Sequence, residues 1–184
     1  TCKRRLQKDR VRKMITVEIN GEERQYPQGA TYEDVANDYQ KEYDNLIALA
    51  ARDGKIRELF KKLTRDCEIT FFTLKDDVGN KTYVRSATML FLKAVFDVFG
   101  RETVQNCRVE FAIGNGSYIS PKGKINATEE NAAKIRNRMR ELVEAKTPFL
   151  KKSYSLDNAM ELFRREGMKD KEKLFRYRRG SFVN

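Results

Sequence analysis

The sequence predicts an α+β fold arranged as two modules. Three observations carry this. Apolar and polar residues alternate from Ile15 to Ile19 and turn back at Asn20-Gly21; helical-period apolar spacing dominates after Ser86; and Asp76, Asp77, Gly79 and Asn80 punctuate the chain between the two patterns. The expected organisation is therefore a basic leader over 1–13, a first module over 14–79 and a second over 81–184.

In the first module Ile15, Val17 and Ile19 form one strand, Asn20-Gly21 supplies the φ > 0 pair of a type I′ turn, and Glu22 to Tyr26 returns as a second strand. After Pro27 and Gly29, Thr31 caps a short helix with Asp34 at its N3 position. Tyr32, Val35, Ala36 and Tyr39 recur along it at helical spacing. Leu46 to Ala51 reads as a buried strand ended at Asp53-Gly54. Ile56, Leu59 and Phe60 sit on a short connection, and Cys67 to Leu74 is a further strand. The order ββαβ(x)β is that of a β-grasp fold.

In the second module Ser86 is expected to cap a helix whose apolar face is Ala87, Leu90, Phe91, Ala94, Val95 and Val98, closed by Gly100 and packed on a sheet. Val109–Ile113 and Tyr118–Ile119 flank Gly114-Asn115-Gly116 as a hairpin. Thr128 opens a long helix with Ile135, Met139, Leu142 and Val143 inward, which ends near Pro148-Phe149. Ser155 caps a third helix with Leu156, Ala159, Met160 and Phe163 inward and Gly167 at the stop. The basic segment Lys171–Arg179 follows.

The chain of 184 residues carries a net charge of +11, but Lys3, Arg4, Arg5, Lys8, Arg10, Arg12 and Lys13 against Asp9 place +6 of it in the leader. The leader lacks the apolar stretch and small-residue cleavage site of an export signal, and no apolar run approaches a membrane span, so a cytoplasmic protein without a membrane partner is expected. Cys2, Cys67 and Cys107 show no metal-ligand spacing and are expected as reduced thiols; no metal site is expected. There is no histidine, which removes the commonest general base and metal ligand.

The stretch Met14 to Gly79 resembles a TGS domain, the β-grasp module at the N-terminus of threonyl-tRNA synthetases and in stringent-response enzymes and some GTPases. The markers are Ile15-Thr-Val-Glu-Ile-Asn-Gly, Pro27-Gln-Gly-Ala-Thr31, Asp34-Val-Ala36 and Ile69-Thr-Phe-Phe-Thr-Leu-Lys-Asp-Asp77. From Lys81 onward the chain is similar to the editing-type domain that follows TGS in those synthetases. This shows in Asn126-Ala-Thr-Glu-Glu130, Ile135-Arg-Asn-Arg-Met-Arg-Glu-Leu142 and Ala159-Met-Glu-Leu-Phe163. The family's hydrolysis of mischarged Ser-tRNA uses an HxxxH helix, but Tyr83-Val-Arg-Ser-Ala-Thr-Met-Leu-Phe-Leu92 puts Arg85 and Met89 at the two histidine positions. Arg, with a pKa above about 12, is no base, and Met has no proton to exchange. The family's later cysteine-and-histidine motif would fall beyond Asn184, so the domain is expected to be incomplete at its C-terminus and the chain non-catalytic.

Arg-Ser at this place, with Asp170-Lys-Glu-Lys-Leu-Phe-Arg-Tyr-Arg-Arg179 and Ser181-Phe-Val-Asn184, is also similar to the N-terminal half of bacterial nucleoside (uridine) kinase fusion proteins. That resemblance implies an accessory, regulatory ligand-binding region with a kinase domain in cis. ATP and Mg²⁺ would belong to the kinase domain alone, since no G-x-x-x-x-G-K-[ST] occurs here. The alternative is an RNA-binding module derived from threonyl-tRNA synthetase, recognising acceptor-stem-like RNA without editing activity.

Two sets of residues are the candidates for contact. Arg85, Ser86 and Met89, at the expected start of a helix, would bind an anion such as a phosphate of RNA or of a nucleotide-like ligand; Ser86 capping with Arg85 paired to a surface acid is the other reading. Arg10, Arg12 and Lys13 in the leader, and Lys171, Lys173, Arg176, Arg178 and Arg179 with Phe175 and Tyr177, would contact RNA through phosphates and stacking. A solvated tail and an ordinary charged helix end would look the same. Lys134, Arg136, Arg138 and Arg140 share their helix with Glu129, Glu130, Glu141 and Glu144 and read as solvated surface.

Overall fold

The computed structural model describes residues 13–114, 116–121 and 125–184, and the chain divides into two compact units between Thr88 and Met89. Its class is α+β, with a five-stranded mixed sheet, two small two-stranded sheets and six α-helices among the described residues.

In the first unit Met14–Ile19 (β1) and Glu22–Pro27 (β2) pair antiparallel across Asn20 at φ 52° and Gly21 at φ 82°. These are the two positive φ values of a type I′ turn, whose twist matches that of the strands. Ile15, Val17 and Ile19 all point to one face and are at most 1% exposed. Tyr32–Tyr39 (α1) starts in a reciprocal cap: the Asp34 amide donates to Thr31 Oγ1 (3.1 Å), and the Thr31 amide donates to Asp34 Oδ2 (2.7 Å). A short 3₁₀ turn follows, where Gln40 accepts from the Ile47 amide (2.9 Å) and donates to the Asn45 carbonyl (3.1 Å), aiming the chain into the next strand.

Ile47–Arg52 (β3) and Lys55–Arg57 (β4) form a second hairpin over Asp53 (φ 49°) and Gly54 (φ 74°). Residues 55–57 were expected on a connection; they pair as a strand because the Asp-Gly turn folds them back onto β3. Cys67–Thr73 (β5) then inserts in the middle, parallel to β1 and antiparallel to β3, giving the order β2-β1-β5-β3-β4. Tyr32, Val35, Ala36 and Tyr39 of α1 pack with Ile15, Val17, Ile69 and Phe71 of the sheet in one core. Tyr39 lies 6.1 Å from Phe71, and the Arg24 guanidinium sits 4.2 Å above the Tyr39 ring.

The helix expected to begin at Ser86 begins nine residues earlier: Asp77–Phe99 (α2) is continuous through Gly79 and Asn80. Asp76 makes this possible, its Oδ2 accepting from the Thr73 amide (2.7 Å) and hydroxyl (2.9 Å) while its carbonyl accepts from the Asn80 amide (2.8 Å). Gly79 is buried against the end of β5, and a Cβ there would stand 2.0 Å from the Thr73 carbonyl oxygen. What reads as a breaker is the close approach of helix to strand.

In the second unit Gly100 (φ 84°) separates α2 from Arg101–Asn106 (α3). Arg108–Ile113 (β6) and Gly116–Ser120 (β7) form the expected hairpin, although Asn115 lies outside the described residues. All six residues of β6 are exposed, so the expected packing of a helix on this sheet is not met there; instead Phe111 stacks on Tyr118 at 5.1 Å. Thr128 caps Glu129–Glu144 (α4) as expected, accepting from the Asn131 amide (3.3 Å). Leu142 is buried, but Val143, also expected inward, is 61% exposed. Tyr154–Ser155 (β8) pairs with Phe182–Val183 (β9), and between them run Leu156–Arg165 (α5), capped by Ser155, and Lys169–Phe175 (α6). Gly167 at φ 70° ends α5 in a Schellman motif: the Met168 amide donates to the Phe163 carbonyl (2.8 Å) and the Gly167 amide to the Arg164 carbonyl (3.1 Å).

Two outcomes follow. Gly79→Ala should lower the unfolding free energy by about 1–3 kcal/mol, the cost of overpacking a tight site. Urea denaturation reads this as a lower midpoint at unchanged slope. The Asp34 carboxyl is held below the ordinary carboxylate range by the Thr31 amide and then its hydroxyl. Its contribution is present above the unfolded value near 3.9 and is lost as pH falls through the lower folded value. Asp34→Ala should therefore be less stable than wild type at pH 7 and lose less on acidification to about pH 3.

Candidate nucleic-acid interface

The charge of the chain is unevenly divided. Residues 14–88 hold 11 Lys and Arg against 14 Asp and Glu, whereas residues 89–184 hold 20 against 12, so the whole positive excess outside the leader lies in the second unit. Much of it on α4 is already compensated. Lys134 pairs with Glu130 (2.7 Å), Arg136 with Glu129 (3.3 Å), and Arg138 with Asp97 (2.9 Å) and Glu141 (2.8 Å). Lys93 and then Arg138 hold the Asp97 carboxyl below the ordinary range. The reading of this helix as solvated, self-neutralised surface fits these pairs.

The C-terminal cluster is different. Its acid, Glu172, accepts from Arg164 (3.1 Å) and Arg176 (3.0 Å), which hold its carboxyl below the ordinary range, Arg176 first. Arg176 is thereby committed, and Lys171 lies 3.7 Å from Asp170. Phe175 is packed on Phe163 at 5.0 Å with Arg178 over its ring at 5.4 Å, so Phe175 is a structural anchor and no free stacking surface. Lys173, Arg178 and Arg179 are exposed and have no acidic partner among the described residues, and Tyr177 between them is 80% exposed. The Schellman turn at Gly167 directs α6 back along α5 and so places Arg164 against Glu172. Sequence reasoning missed Arg164 because its partner is eight positions away across a turn, beyond the i, i+4 spacing that a single helix would show.

The anion site expected at Arg85, Ser86 and Met89 is not assembled as envisaged. Ser86 lies inside α2, where its hydroxyl donates to the Thr82 carbonyl (3.1 Å). Interior amides are already bonded within the helix and so leave no free donors to converge on an anion. Arg85 is exposed and unpaired among the described residues, and Met89, one turn later, is 60% exposed. Arg10 and Arg12 lie outside the described residues. Lys13 is exposed, and its carbonyl accepts from the Gln28 amide (2.8 Å).

A cavity of about 490 Å³ opens beside the start of α4, lined by Phe91, Cys107, Ile119, Thr128, Ile135 and Met139. Burial pushes the Cys107 thiol up, as it does Cys67, and a thiol held in its protonated form is a poor nucleophile. Both cysteines are free, and Cys2 lies outside the described residues. No described helix is long and apolar enough to cross a membrane.

No family model matches the chain. It is similar to the threonine–tRNA ligase of Thermotoga maritima, 28% identical over 90% of this chain and 26% of that protein. The threonine–tRNA ligase of Thermotoga neapolitana is 27% identical over 94% of this chain and 28% of its own length, and that of Maricaulis maris 29% over 89% and 25%. The chain thus spans about a quarter of the length of the curated relatives it matches, and nearly all of it is threonyl-tRNA-synthetase-like. These relatives lend the nucleoside-kinase resemblance no support.

The Glu172 cluster is open to direct measurement. In a carboxyl NMR titration Glu172 should titrate below the ordinary Glu value of about 4.3, and both Arg176→Ala and Arg164→Ala should raise its midpoint. A midpoint unmoved by either change would show that the cluster is absent in solution.

Proposed function

We propose that this chain is an RNA-binding module related to threonyl-tRNA synthetase. It recognises acceptor-stem-like RNA through the second unit and does not hydrolyse aminoacyl esters. One observation supports this most: Lys173, Arg178 and Arg179, free of acidic partners among the described residues, lie within four positions of the exposed Tyr177 in a unit with 20 basic and 12 acidic residues. Cations of this kind displace condensed counterions from phosphates, and an exposed ring stacks on an unpaired base. The similarity to threonine–tRNA ligases, enzymes named for a tRNA substrate, points to the same partner class.

The chemistry of the two expected base positions supports the reading without ester hydrolysis. Activating water near neutral pH needs a group that can take a proton. Arg85 is permanently protonated and Met89 is a thioether, while the Cys67 and Cys107 thiols are pushed up by burial. Binding and hydrolysis are separable, because phosphate contacts position an RNA whether or not a base stands ready.

Fluorescence polarisation with a labelled acceptor-stem minihelix, over about 50 to 200 mM salt, should give an affinity falling linearly on a log–log scale. Each of Lys173→Ala and Arg179→Ala should reduce the slope by roughly 0.9, and Tyr177→Ala should cost roughly 1–3 kcal/mol with the slope kept. Glu172→Gln should tighten binding by releasing Arg176. Affinity indifferent to all four changes would sink the assignment of this surface. Ser-tRNA incubated with the chain should deacylate no faster than in buffer.

A further inference from the structure

The first unit is slightly acidic overall, yet its charge is polarised across the sheet. Residues 18–44 carry eight acids and two basic residues, and residues 52–66 carry six basic residues and three acids. The strand order β2-β1-β5-β3-β4 puts Glu22 and Glu23 on one edge and Lys55 and Arg57 on the other. Two of the three acids on the basic side are used within the fold: Asp53 accepts from Arg65 (2.6 Å) and from the Glu68 amide (3.2 Å), and Asp66 accepts from the Thr16 amide (2.9 Å). Lys55, Lys61 and Lys62 are exposed and have no acidic partner among the described residues.

Beyond β4 the chain presents Phe60, 54% exposed, with the Lys61 ammonium 5.2 Å from its ring centre. Ile56 is also half exposed, at 50%. The segment carrying Phe60 is pinned. The Leu59 and Lys61 carbonyls accept from the Glu33 (2.8 Å) and Tyr32 (3.0 Å) amides at the start of α1, and the Leu63 amide donates to the Ala30 carbonyl (2.7 Å) with Leu63 itself 1% exposed. Charges on an edge strand guard against edge-to-edge pairing, which accounts for Lys55 and Arg57. It does not account for an aromatic ring held in water on a fixed backbone beside two further lysines. Stacking faces interleaved with cations are how proteins hold unpaired nucleic acid, whereas two apolar side chains bury too little for stable membrane insertion.

We infer that the β4 edge and the following segment, through Lys55, Arg57, Lys61, Lys62 and Phe60, form a second docking surface, which takes unpaired RNA. The lysines and Arg57 meet phosphates, and Phe60 stacks on a base. This surface lies wholly in the first unit and shares no residue with the Tyr177 cluster, so either can fail alone.

The test uses the full chain and a labelled 12-nucleotide oligouridine of roughly the length one small binding fold covers. Phe60→Ala should weaken binding by about 5- to 150-fold, and Lys61→Glu with Lys62→Glu should lower the salt slope by roughly 1.4. Photocrosslinking of 4-thiouridine RNA should mark the peptide containing Phe60, and should still do so in Tyr177→Ala. Circular dichroism should leave these exposed variants indistinguishable from wild type. Oligouridine binding unaffected by the Phe60 and lysine changes would overturn the inference, as would crosslinks confined to the second unit. Binding to phosphatidylserine vesicles that depends on Phe60, in place of binding to RNA, would overturn it equally.

Discussion

At the end of β5 the carboxylate of Asp76 accepts from both the amide and the hydroxyl of Thr73, and three residues later Gly79 passes so near the Thr73 carbonyl that no side chain fits. This corner decides where α2 begins. Starting at Asp77, the helix carries Ser86 in its interior and leaves Arg85 and Met89 one turn apart and exposed. An anion site that depended on free amides at Ser86 is thereby dissolved. The same corner fixes the exit of the central strand, against which β1 and β3 both pair.

Electrostatics distinguishes the two units. In the second, Glu129, Glu130 and Glu141 on α4 pair with neighbouring cations and Glu172 accepts from two arginines, while Lys173, Arg178 and Arg179 are among the cations left without an acidic partner among the described residues. In the first, sheet order separates the acidic β2 edge from the basic β4 edge. Counting residues overstates both surfaces, because a cation already paired releases fewer counterions on meeting a phosphate. What each proposed surface keeps after pairing is a few cations and one exposed ring, Phe60 in the first unit and Tyr177 in the second.

Both units are built on polar devices that cost little and orient a great deal. The reciprocal cap at Thr31 and Asp34 starts the helix that closes the first core, while the same helix takes the Leu59 and Lys61 carbonyls onto its free amides and so holds Phe60 in place. The Schellman turn at Gly167 does comparable work in the second unit, reversing α5 into α6. Function proposed for either surface rests on backbone geometry as much as on the side chains displayed.

The sequence alone determined the α+β class, the first hairpin, the caps at Thr31, Thr128 and Ser155, the apolar face of α1 and the lack of any histidine. Each is local: turn chemistry, a side chain reaching three residues on, or the period of apolar residues. Tertiary structure decided what local signals cannot. Gly79 and Asn80 look like a break until β5 packs against them, and residues 55–57 look like a connection until β3 offers an edge. Phe175 and Tyr177 look alike until Phe163 takes the first ring and leaves the second in water. Pairing over long separations sets which polar groups are already satisfied, and only those left over can meet a ligand.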